Sequence, residues 1–153
     1  MTTDFHIIFL FVDGLGVGSN NPEINPCADS SLRHLCVYRD NGTLFSRDPN
    51  VVAVETDAML DVEGLPQSAT GQSALLTGVN ASELLGKHLS GFPNLSLREV
   101  LQEKSLLKQV TDLGLRAIFV NVYRDLFFKL SEPMQWKLSA TTVASLAAGL
   151  PFF

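Results

Sequence analysis

The chain has 153 residues, of which 46% are hydrophobic and 18% are charged, and its formal net charge is −5. This length fits one domain that can bury a core, and the composition excludes a disordered chain. The negative charge and the lack of a basic stripe exclude a nucleic-acid backbone as the main partner. A small anionic substrate remains compatible with the charge, because a bound metal can reverse the local sign.

The first predicted element is a buried parallel strand at residues 5–12, an almost continuous apolar run that contains His6 as a packed side chain. The run is short, Asp4 and Asp13 flank it, and no basic stretch precedes it. We therefore interpret it as a core strand rather than a signal peptide or a membrane span. Cys27 and Cys36 are too far apart for a CxxC pair, which indicates reduced thiols and a cytoplasmic protein.

Asp13 follows this strand at its carboxyl end, where open α/β sheets bind ligands. The glycines after it, Gly14, Gly16 and Gly18, have the spacing GxGxG, which does not match the GxGxxG dinucleotide fingerprint. A loop also follows them, where that fingerprint needs a helix. We expect these glycines to let the backbone pass close to an ion or phosphate bound at Asp13.

The next part of the chain predicts a short helix at residues 28–38, with Asp29 or Ser30 near its start. Extended segments are predicted at residues 42–46 and 51–60, the second as a half-exposed strand. Acidic residues in this region indicate a solvated strand face more than a metal site: Glu55, Asp57, Asp61 and Glu63.

Residues 64–78 carry the main functional signal, a loop marked by Pro and Gly that delivers Ser68 to a short helix ending at Gly78. A helix N-terminus offers unpaired N–H groups and about half a positive charge, which together stabilise a phosphate-like group. A serine at this place can act as a nucleophile if its proton is removed. The alternative is that Ser68 or Thr70 only caps the helix.

The second half of the chain predicts a loop, two helices and a strand. Lys87 and His88 lie in a glycine-punctuated loop, where they either bind substrate oxygens or simply belong to the surface. A capping box at residues 96–99 opens a helix that ends before Gly114.

A buried parallel strand at residues 117–122 follows this helix, as in a βαβ unit. Asn121 and Tyr123 fall at its carboxyl end, on the ligand side. A last helix is predicted at residues 142–148, with Thr141 as its cap.

Two of these stretches together resemble motifs of the alkaline phosphatase superfamily of metal-dependent phosphate and sulfate enzymes. Residues 11–18, FVDGLGVG, resemble the opening strand and metal-binding aspartate of cofactor-independent phosphoglycerate mutase and phosphopentomutase. Residues 67–72, QSATGQ, resemble the Ser/Thr-x-x-Gly-His nucleophile turn of those mutases, with Gln72 in place of the histidine. The sulfatase signature, aligned through its Ala-Leu-Leu-Thr-Gly tail on residues 74–78, also places its catalytic residue on Ser68. Its proline and arginine are replaced here by Thr70 and Gln72.

The resemblance implies a three-layer α/β/α domain with a mostly parallel sheet, of which residues 1–153 form a single N-terminal portion. It implies that Asp13 and the Ser68 oxygen bind one of two divalent ions, which are Mn, Zn or Mg. Ser68 would then attack a small phosphorylated substrate and form a phosphoserine, as in a mutase, phosphatase or phosphodiesterase. With the loop and strand residues above, the candidate substrate-binding set is Gln67, Thr70, Gly71, Gln72, Lys87, His88 and Asn121.

The other metal ligands of this family, typically an Asp-x-x-x-His element, an Asp-His pair and a further histidine, have no counterpart here. The three histidines are His6, His34 and His88, and none lies in such a context. We therefore expect a truncated chain that binds metal weakly and is inactive alone. The alternative is a non-catalytic α/β module that binds an anion or a partner subunit, or that self-associates through its incomplete sheet.

Overall fold

The computed structural model describes residues 6–29, 31–32, 36–46 and 48–153. The chain divides into a first unit, Met1–Thr56, and a second unit, Asp57–Phe153. The described residues combine helices with a small mixed sheet, which confirms a mixed α and β composition. Within the described ranges, every helix is too short or too polar to cross a membrane.

The first unit contains a three-stranded sheet in the order β1 (Gly18–Ser19), β2 (Val37–Asp40) and β3 (Thr43–Ser46). The first pair is parallel and the second is antiparallel. Asn41 and Gly42 join β2 to β3, with φ values of 48° and 82°. An Asn-Gly pair favours such left-handed values, so it closes a two-residue hairpin. The extended segment predicted at residues 42–46 is confirmed in β3.

The helix predicted at residues 28–38 is wrong where the structure describes it. A single 3-10 turn at Pro26–Ala28 shares only Ala28 with that range, Asp29 ends the turn, and Val37 already belongs to β2. The Oδ1 atom of Asn25 accepts from the backbone N–H of Cys27 at 3.2 Å and so caps the turn. Ser30 and His34 lie outside the described residues. The small core of this unit consists of Ala28, Cys36 and Tyr38.

The strands predicted at both ends of the first unit are wrong as well. Residues 6–12 form no strand, and Ile8, for example, is 95% exposed. His6 is exposed rather than packed, and Phe5 lies outside the described residues. Residues 51–60 also form no strand, and Val52 is 90% exposed. A β-strand forms only when a neighbouring strand pairs with its backbone. An apolar composition does not provide that neighbour.

The second unit is helical. Its helices are α1 (Ser68–Thr77), α2 (Ala81–Leu85), α3 (Leu95–Lys104), α4 (Leu106–Asp112), α5 (Asp125–Phe128), α6 (Glu132–Gln135) and α7 (Ala140–Ala147). Its main core joins α1, α3 and α7 through Leu76, Leu101 and Val143. A second cluster packs α1 on α2 and α3 through Ala69, Ala81 and Leu97. These contacts fix the position of α1, the helix that begins with Ser68.

Helix boundaries differ from the predicted ones at three places. The helix predicted from residue 96 to 113 is broken at Ser105, whose extended backbone ends α3 and whose Oγ caps α4. Asn94, not the predicted capping box at residues 96–99, caps α3. Ser139, not Thr141, caps α7. The predicted stop of α1 at Gly78 is confirmed, since Gly78 adopts φ +71°.

The buried strand predicted at residues 117–122 is wrong. These residues form no strand, and Ile118, Val120 and Val122 are 61%, 73% and 83% exposed. The second unit therefore contains no βαβ unit among its described residues.

Candidate functional site

The loop that leads to Ser68 has a strained backbone. Leu60 and Asp61 are consecutive non-glycine residues with φ values of 55° and 57°. Left-handed residues of this kind cost about 1–3 kcal/mol each and persist where surrounding contacts hold them. One such contact is present, because the Nδ2 of Asn80 donates to the carbonyl oxygen of Leu60 at 2.8 Å.

His88 is the second anchor of this loop. Its Nε2 lies 3.0 Å from the carbonyl oxygen of Val62, and its Nδ1 lies 3.2 Å from the Oγ of the buried Ser82. A carbonyl can only accept, so Nε2 carries the hydrogen and Nδ1 accepts from the serine hydroxyl. Both ring nitrogens are thus committed within the protein. The structure gives His88 a role in holding this loop, and its predicted role as a substrate ligand stays a prediction.

Gly64 brings the loop close to this histidine. Its φ is +122°, and a Cβ at this position would lie 3.3 Å from Cδ2 of His88. Both the backbone conformation and the space therefore favour glycine. The path from Leu60 to Ser68 is held by the side chains of Asn80, just before α2, and of His88 in the 86–91 loop.

Ser68 is the first residue of α1, and the helix cap is the residue before it. Gln67 has an extended backbone and makes no side-chain capping hydrogen bond. The alternative that Ser68 or Thr70 is the N-cap is therefore wrong. Ser68 is half-buried at the helix start.

The amides at the start of α1 are already bonded. The N–H groups of Ala69 and Thr70 both point at the carbonyl oxygen of Leu89, at 3.0 and 3.4 Å. The N–H of Gly71 donates to the carbonyl of Gln67 at 2.8 Å. The expectation that this helix start presents unpaired N–H groups to an anion is thus wrong for these three residues.

The candidate substrate residues of α1 divide between two faces of the helix. Ser68, Gly71 and Gln72 are three and four residues apart, lie on one side and are half-buried. Thr70 lies on the fully buried side with Ala69. Its hydroxyl donates to the carbonyl of Gln67 and accepts from the N–H of Leu89, both at 3.3 Å, so Thr70 joins α1 to the 86–91 loop.

Gly71 is unusual because nothing in its surroundings requires a glycine. Its φ is not positive, and a Cβ built on it would meet no atom within 4 Å. A glycine inside a helix is less favourable than alanine by about 0.5–1 kcal/mol. The space beside Ser68 on the accessible face is therefore open, and a ligand could approach the backbone there.

The remaining candidate residues lie apart from this face. Lys87 and Asn121 are both exposed. Tyr123 turns inward, where its hydroxyl lies 2.8 Å from the Oγ1 of Thr142. Burial raises the pKa of Tyr123, and the hydrogen bonds from Thr142 and Ser139 partly oppose this shift.

The described residues do not provide a metal site. Asp13 lies exposed in a turn. Within the described ranges, no group of three or more His, Cys, Asp and Glu side chains could hold a metal ion. The residues present do not fit the two-ion centre that the resemblance implies, so Asp13 and Ser68 as metal ligands stay a prediction. The acidic residues Glu55, Asp57, Asp61 and Glu63 are exposed, as expected.

Gly18, the last of the three glycines after Asp13, has a different explanation from an ion site. A Cβ on Gly18 would lie 2.7 Å from the Cγ of Asn25, so the Asn25 side chain requires a glycine at this position. That side chain also donates to the carbonyl of Ser19 at 2.8 Å. Gly14 and Gly16 have no atom within 4 Å of a built Cβ.

Sequence reasoning missed Asn80 and Leu89. Asn80 caps α2, since its Oδ1 accepts from the N–H of Glu83 at 3.0 Å. The Asn-x-x-Glu spacing is a helix-start pattern that indicates this cap from sequence. Leu89 acts through its backbone carbonyl, which leaves no side-chain signal.

Comparison with protein-family models, curated proteins and solved structures gives no match to this chain.

Proposed function

We propose that Ser68 is the nucleophile of a phosphoryl-transfer or phosphate-ester-hydrolysing enzyme, a mutase, phosphatase or phosphodiesterase of the alkaline phosphatase superfamily. In this proposal the chain supplies the N-terminal portion of a cytoplasmic three-layer α/β/α enzyme with a mostly parallel sheet. The observation that carries it is the accessible face of Ser68, Gly71 and Gln72 at the start of α1. On that face an unneeded glycine leaves open space beside a serine. The free thiols Cys27 and Cys36 agree with a reducing compartment.

The chemistry assigned to Ser68 is a displacement at phosphorus. The bond from Oγ to phosphorus forms, the bond from phosphorus to the leaving oxygen breaks, and the serine proton passes to a base. His88 uses both ring nitrogens elsewhere and is not that base. Water or a substrate hydroxyl then takes the phosphoryl group from the phosphoserine.

Two divalent ions, Mn, Zn or Mg, belong to this proposal through the resemblance alone. The described residues do not fit such a centre, so the chemistry assigned to this chain is that of Ser68 alone. The remaining ligands and the base would come from polypeptide outside this sequence, and we expect the 153-residue chain alone to be inactive.

The test uses the longest polypeptide that the gene encodes, assayed with p-nitrophenyl phosphate and each of the three metals. Ser68→Ala is expected to abolish turnover and to remove a phosphoserine detected at position 68 by peptide mass spectrometry. Ser73→Ala is the matched control, because Ser73 lies in the same helix on the buried side. Full activity in Ser68→Ala would contradict the nucleophile assignment.

A second variant tests the open space beside Ser68. Gly71→Ala is expected to raise the free energy of unfolding by about 0.5–1 kcal/mol, because alanine is the better helix former. The added methyl group is expected to lower turnover, since it fills the approach to Ser68. Leu106→Ala, at an exposed position of α4, is expected to leave turnover unchanged. A stabilised Gly71→Ala variant with full turnover would show that the space is not used.

The second candidate function is a non-catalytic module that binds a partner subunit by self-association. The exposed apolar side chains of residues 6–12 and 117–122 favour it, because soluble monomers rarely expose such continuous apolar stretches. Sedimentation of the 153-residue chain tests it, and a monodisperse monomer at all concentrations would contradict it.

A further inference from the structure

Asn41 and Gly42 form the tip of the β2–β3 hairpin and are the one Asn-Gly pair in the sequence. Both residues are exposed, and both have left-handed φ values, 48° and 82°. A Cβ built on Gly42 would meet no atom within 4 Å, so no described residue packs over this glycine. The tip therefore presents the side-chain amide of Asn41 next to an uncovered backbone nitrogen.

An asparagine side chain can react with the backbone nitrogen that follows it. That nitrogen attacks Cγ of the asparagine, and the new bond replaces the bond from Cγ to Nδ2. Ammonia leaves with the proton of the backbone N–H, and a five-membered imide remains. Water then opens the imide at either carbonyl and gives aspartate or isoaspartate. A following glycine favours the attack, because without a Cβ its backbone can come close to the side chain.

Other asparagines of the chain lack one of these features. Asn25 precedes Pro26, whose nitrogen has no hydrogen to lose. The amide of Asn80 is held at both atoms, by the carbonyl of Leu60 and by the N–H of Glu83. The amide of Asn41, in contrast, makes no hydrogen bond within the described ranges.

Asn121 separates the effect of the next residue from the effect of exposure. It is exposed like Asn41, but Val122 follows it. The branched side chain of valine crowds the backbone nitrogen that would have to attack. Exposure alone therefore does not provide the reactive geometry of the Asn41-Gly42 pair.

We propose that Asn41 is a modification site, at which spontaneous deamidation replaces the asparagine by aspartate and isoaspartate. The reaction needs only water and uses neither Ser68 nor a partner subunit. Each event adds one negative charge beside Asp40 to a chain whose formal net charge is −5.

The two products have different consequences for the hairpin. Aspartate keeps the turn, because Asp-Gly favours the same left-handed conformation as Asn-Gly. Isoaspartate carries the main chain through its side chain and so lengthens a loop of two residues. The pairing of Asp40 with Thr43 depends on that loop length, because the turn sets the register of a hairpin. Loss of this register disturbs Tyr38, which lies on β2 and belongs to the core of the first unit.

Incubation of the 153-residue chain in water enriched in oxygen-18 tests the site. Opening of the imide incorporates one oxygen from water, so peptide mass spectrometry identifies each asparagine that has reacted. Digestion in ordinary water leaves unlabelled any deamidation that occurs during handling. The Asn41 peptide is expected to gain the label at least about tenfold faster than the peptide with Asn121, the matched control.

Two variants assign the change in charge to this residue. Asn41→Gly keeps a favourable Gly-Gly turn but has no amide. Isoelectric focusing is expected to show an acidic form that accumulates in the unaltered chain and is lost in Asn41→Gly. Asn41→Asp is expected to focus at the position of that acidic form from the start.

The buried thiol of Cys36 reports on the hairpin. Cys36 is 1% exposed and packs in the same core as Tyr38. In the acidic form isolated after incubation, which contains isoaspartate, a maleimide is expected to alkylate Cys36 at least about tenfold faster than in Asn41→Asp. The comparison separates the lengthened main chain from the added charge, because both proteins carry the charge.

Three outcomes would overturn the proposed site. The Asn41 peptide would take up no oxygen-18, or the Asn121 peptide would take it up equally fast. Alternatively, Asn41→Gly would become acidic at the rate of the unaltered chain. Equal alkylation of Cys36 in the isolated acidic form and in Asn41→Asp would contradict the effect of isoaspartate on the hairpin.

Discussion

The imidazole of His88 donates from Nε2 to the carbonyl oxygen of Val62, 26 residues earlier in the chain, at 3.0 Å. This bond closes the loop that leads to Ser68, and Ser82 fixes the other side of the ring. A histidine that resembles a substrate ligand in the sequence is therefore a support for the backbone. The position of Ser68 depends on it indirectly.

His88→Ala is expected to lower the free energy of unfolding by about 1–3 kcal/mol, because it leaves the Val62 carbonyl and the buried Ser82 hydroxyl without a partner. Urea denaturation followed by circular dichroism measures this change. Lys87→Ala is the control, since Lys87 is exposed and its removal is expected to change stability by less than about 0.5 kcal/mol. Equal effects of the two variants would exclude the structural role of His88.

Thr70 gives a second prediction, because its hydroxyl joins the Gln67 carbonyl to the Leu89 N–H. Thr70→Val keeps the shape but removes both bonds, and is expected to cost about 1–3 kcal/mol in the free energy of unfolding. Thr70→Ser keeps the hydroxyl and loses only a buried methyl group, a cost of about 1 kcal/mol. Thermal unfolding of both variants tests this. A higher melting temperature for Thr70→Val than for Thr70→Ser would contradict the hydrogen-bonded role of Thr70.

The features that sequence predicted correctly are those set by neighbouring residues. The end of α1 at Gly78 follows from its left-handed φ of +71°, which glycine adopts readily. The extended segment that became β3 was also predicted, and the Asn41-Gly42 turn before it is a local signal of the same kind. Ser105 shows where local patterns fail. The apolar periodicity predicts one continuous helix, but the side chain of Ser105 caps a second helix, α4, within that range.

The features that sequence missed depend on distant partners. An apolar run such as 6–12 or 117–122 has the same composition whether or not another strand covers it. Within the candidate site, the sequence correctly predicts that Ser68 lies at the start of a helix, but it does not indicate the hydrogen-bond partners of Thr70 and His88. Their partners are the backbone groups of Leu89 and Val62, which leave no trace in residue identity.

Two buried serines in the helical core predict that replacing them with alanine stabilises the protein. The Oγ atoms of Ser73 and Ser145 are buried and have no hydrogen-bond partner among the residues that the structure describes. An unsatisfied buried hydroxyl is unfavourable, so Ser73→Ala and Ser145→Ala are each expected to raise the free energy of unfolding by up to about 1 kcal/mol. Ser105→Ala is the matched control among buried serines, because the hydroxyl of Ser105 caps α4. This variant is expected to lower the free energy of unfolding by about 1 kcal/mol. Chemical denaturation of the three variants measures the difference, and a loss at Ser73 or Ser145 would mean that the hydroxyl has a partner.

Tyr123 predicts a loss of stability at alkaline pH. Its ordinary pKa is 10.0, and burial raises the pKa in the folded state, although the hydrogen bonds from Thr142 and Ser139 oppose that shift. The folded state therefore holds the phenolic proton more tightly than the unfolded state does. Stability is unaffected by this group below pH 10.0 and falls as the pH rises from there through the folded pKa.

Tyr123→Phe removes the titrating hydroxyl together with its hydrogen bond to Thr142. The variant is expected to be less stable at neutral pH by about 0.5–1.5 kcal/mol, the usual net value of such a bond. Above pH 10 its disadvantage is expected to shrink, because only the unaltered protein must hold a buried phenol against deprotonation. Urea midpoints of both proteins measured from about pH 8 to about pH 11 test this, and lysines, which titrate in the same range, affect both proteins alike. If the urea midpoints of the two proteins change with pH in parallel, Tyr123 has the same pKa in the folded and unfolded states.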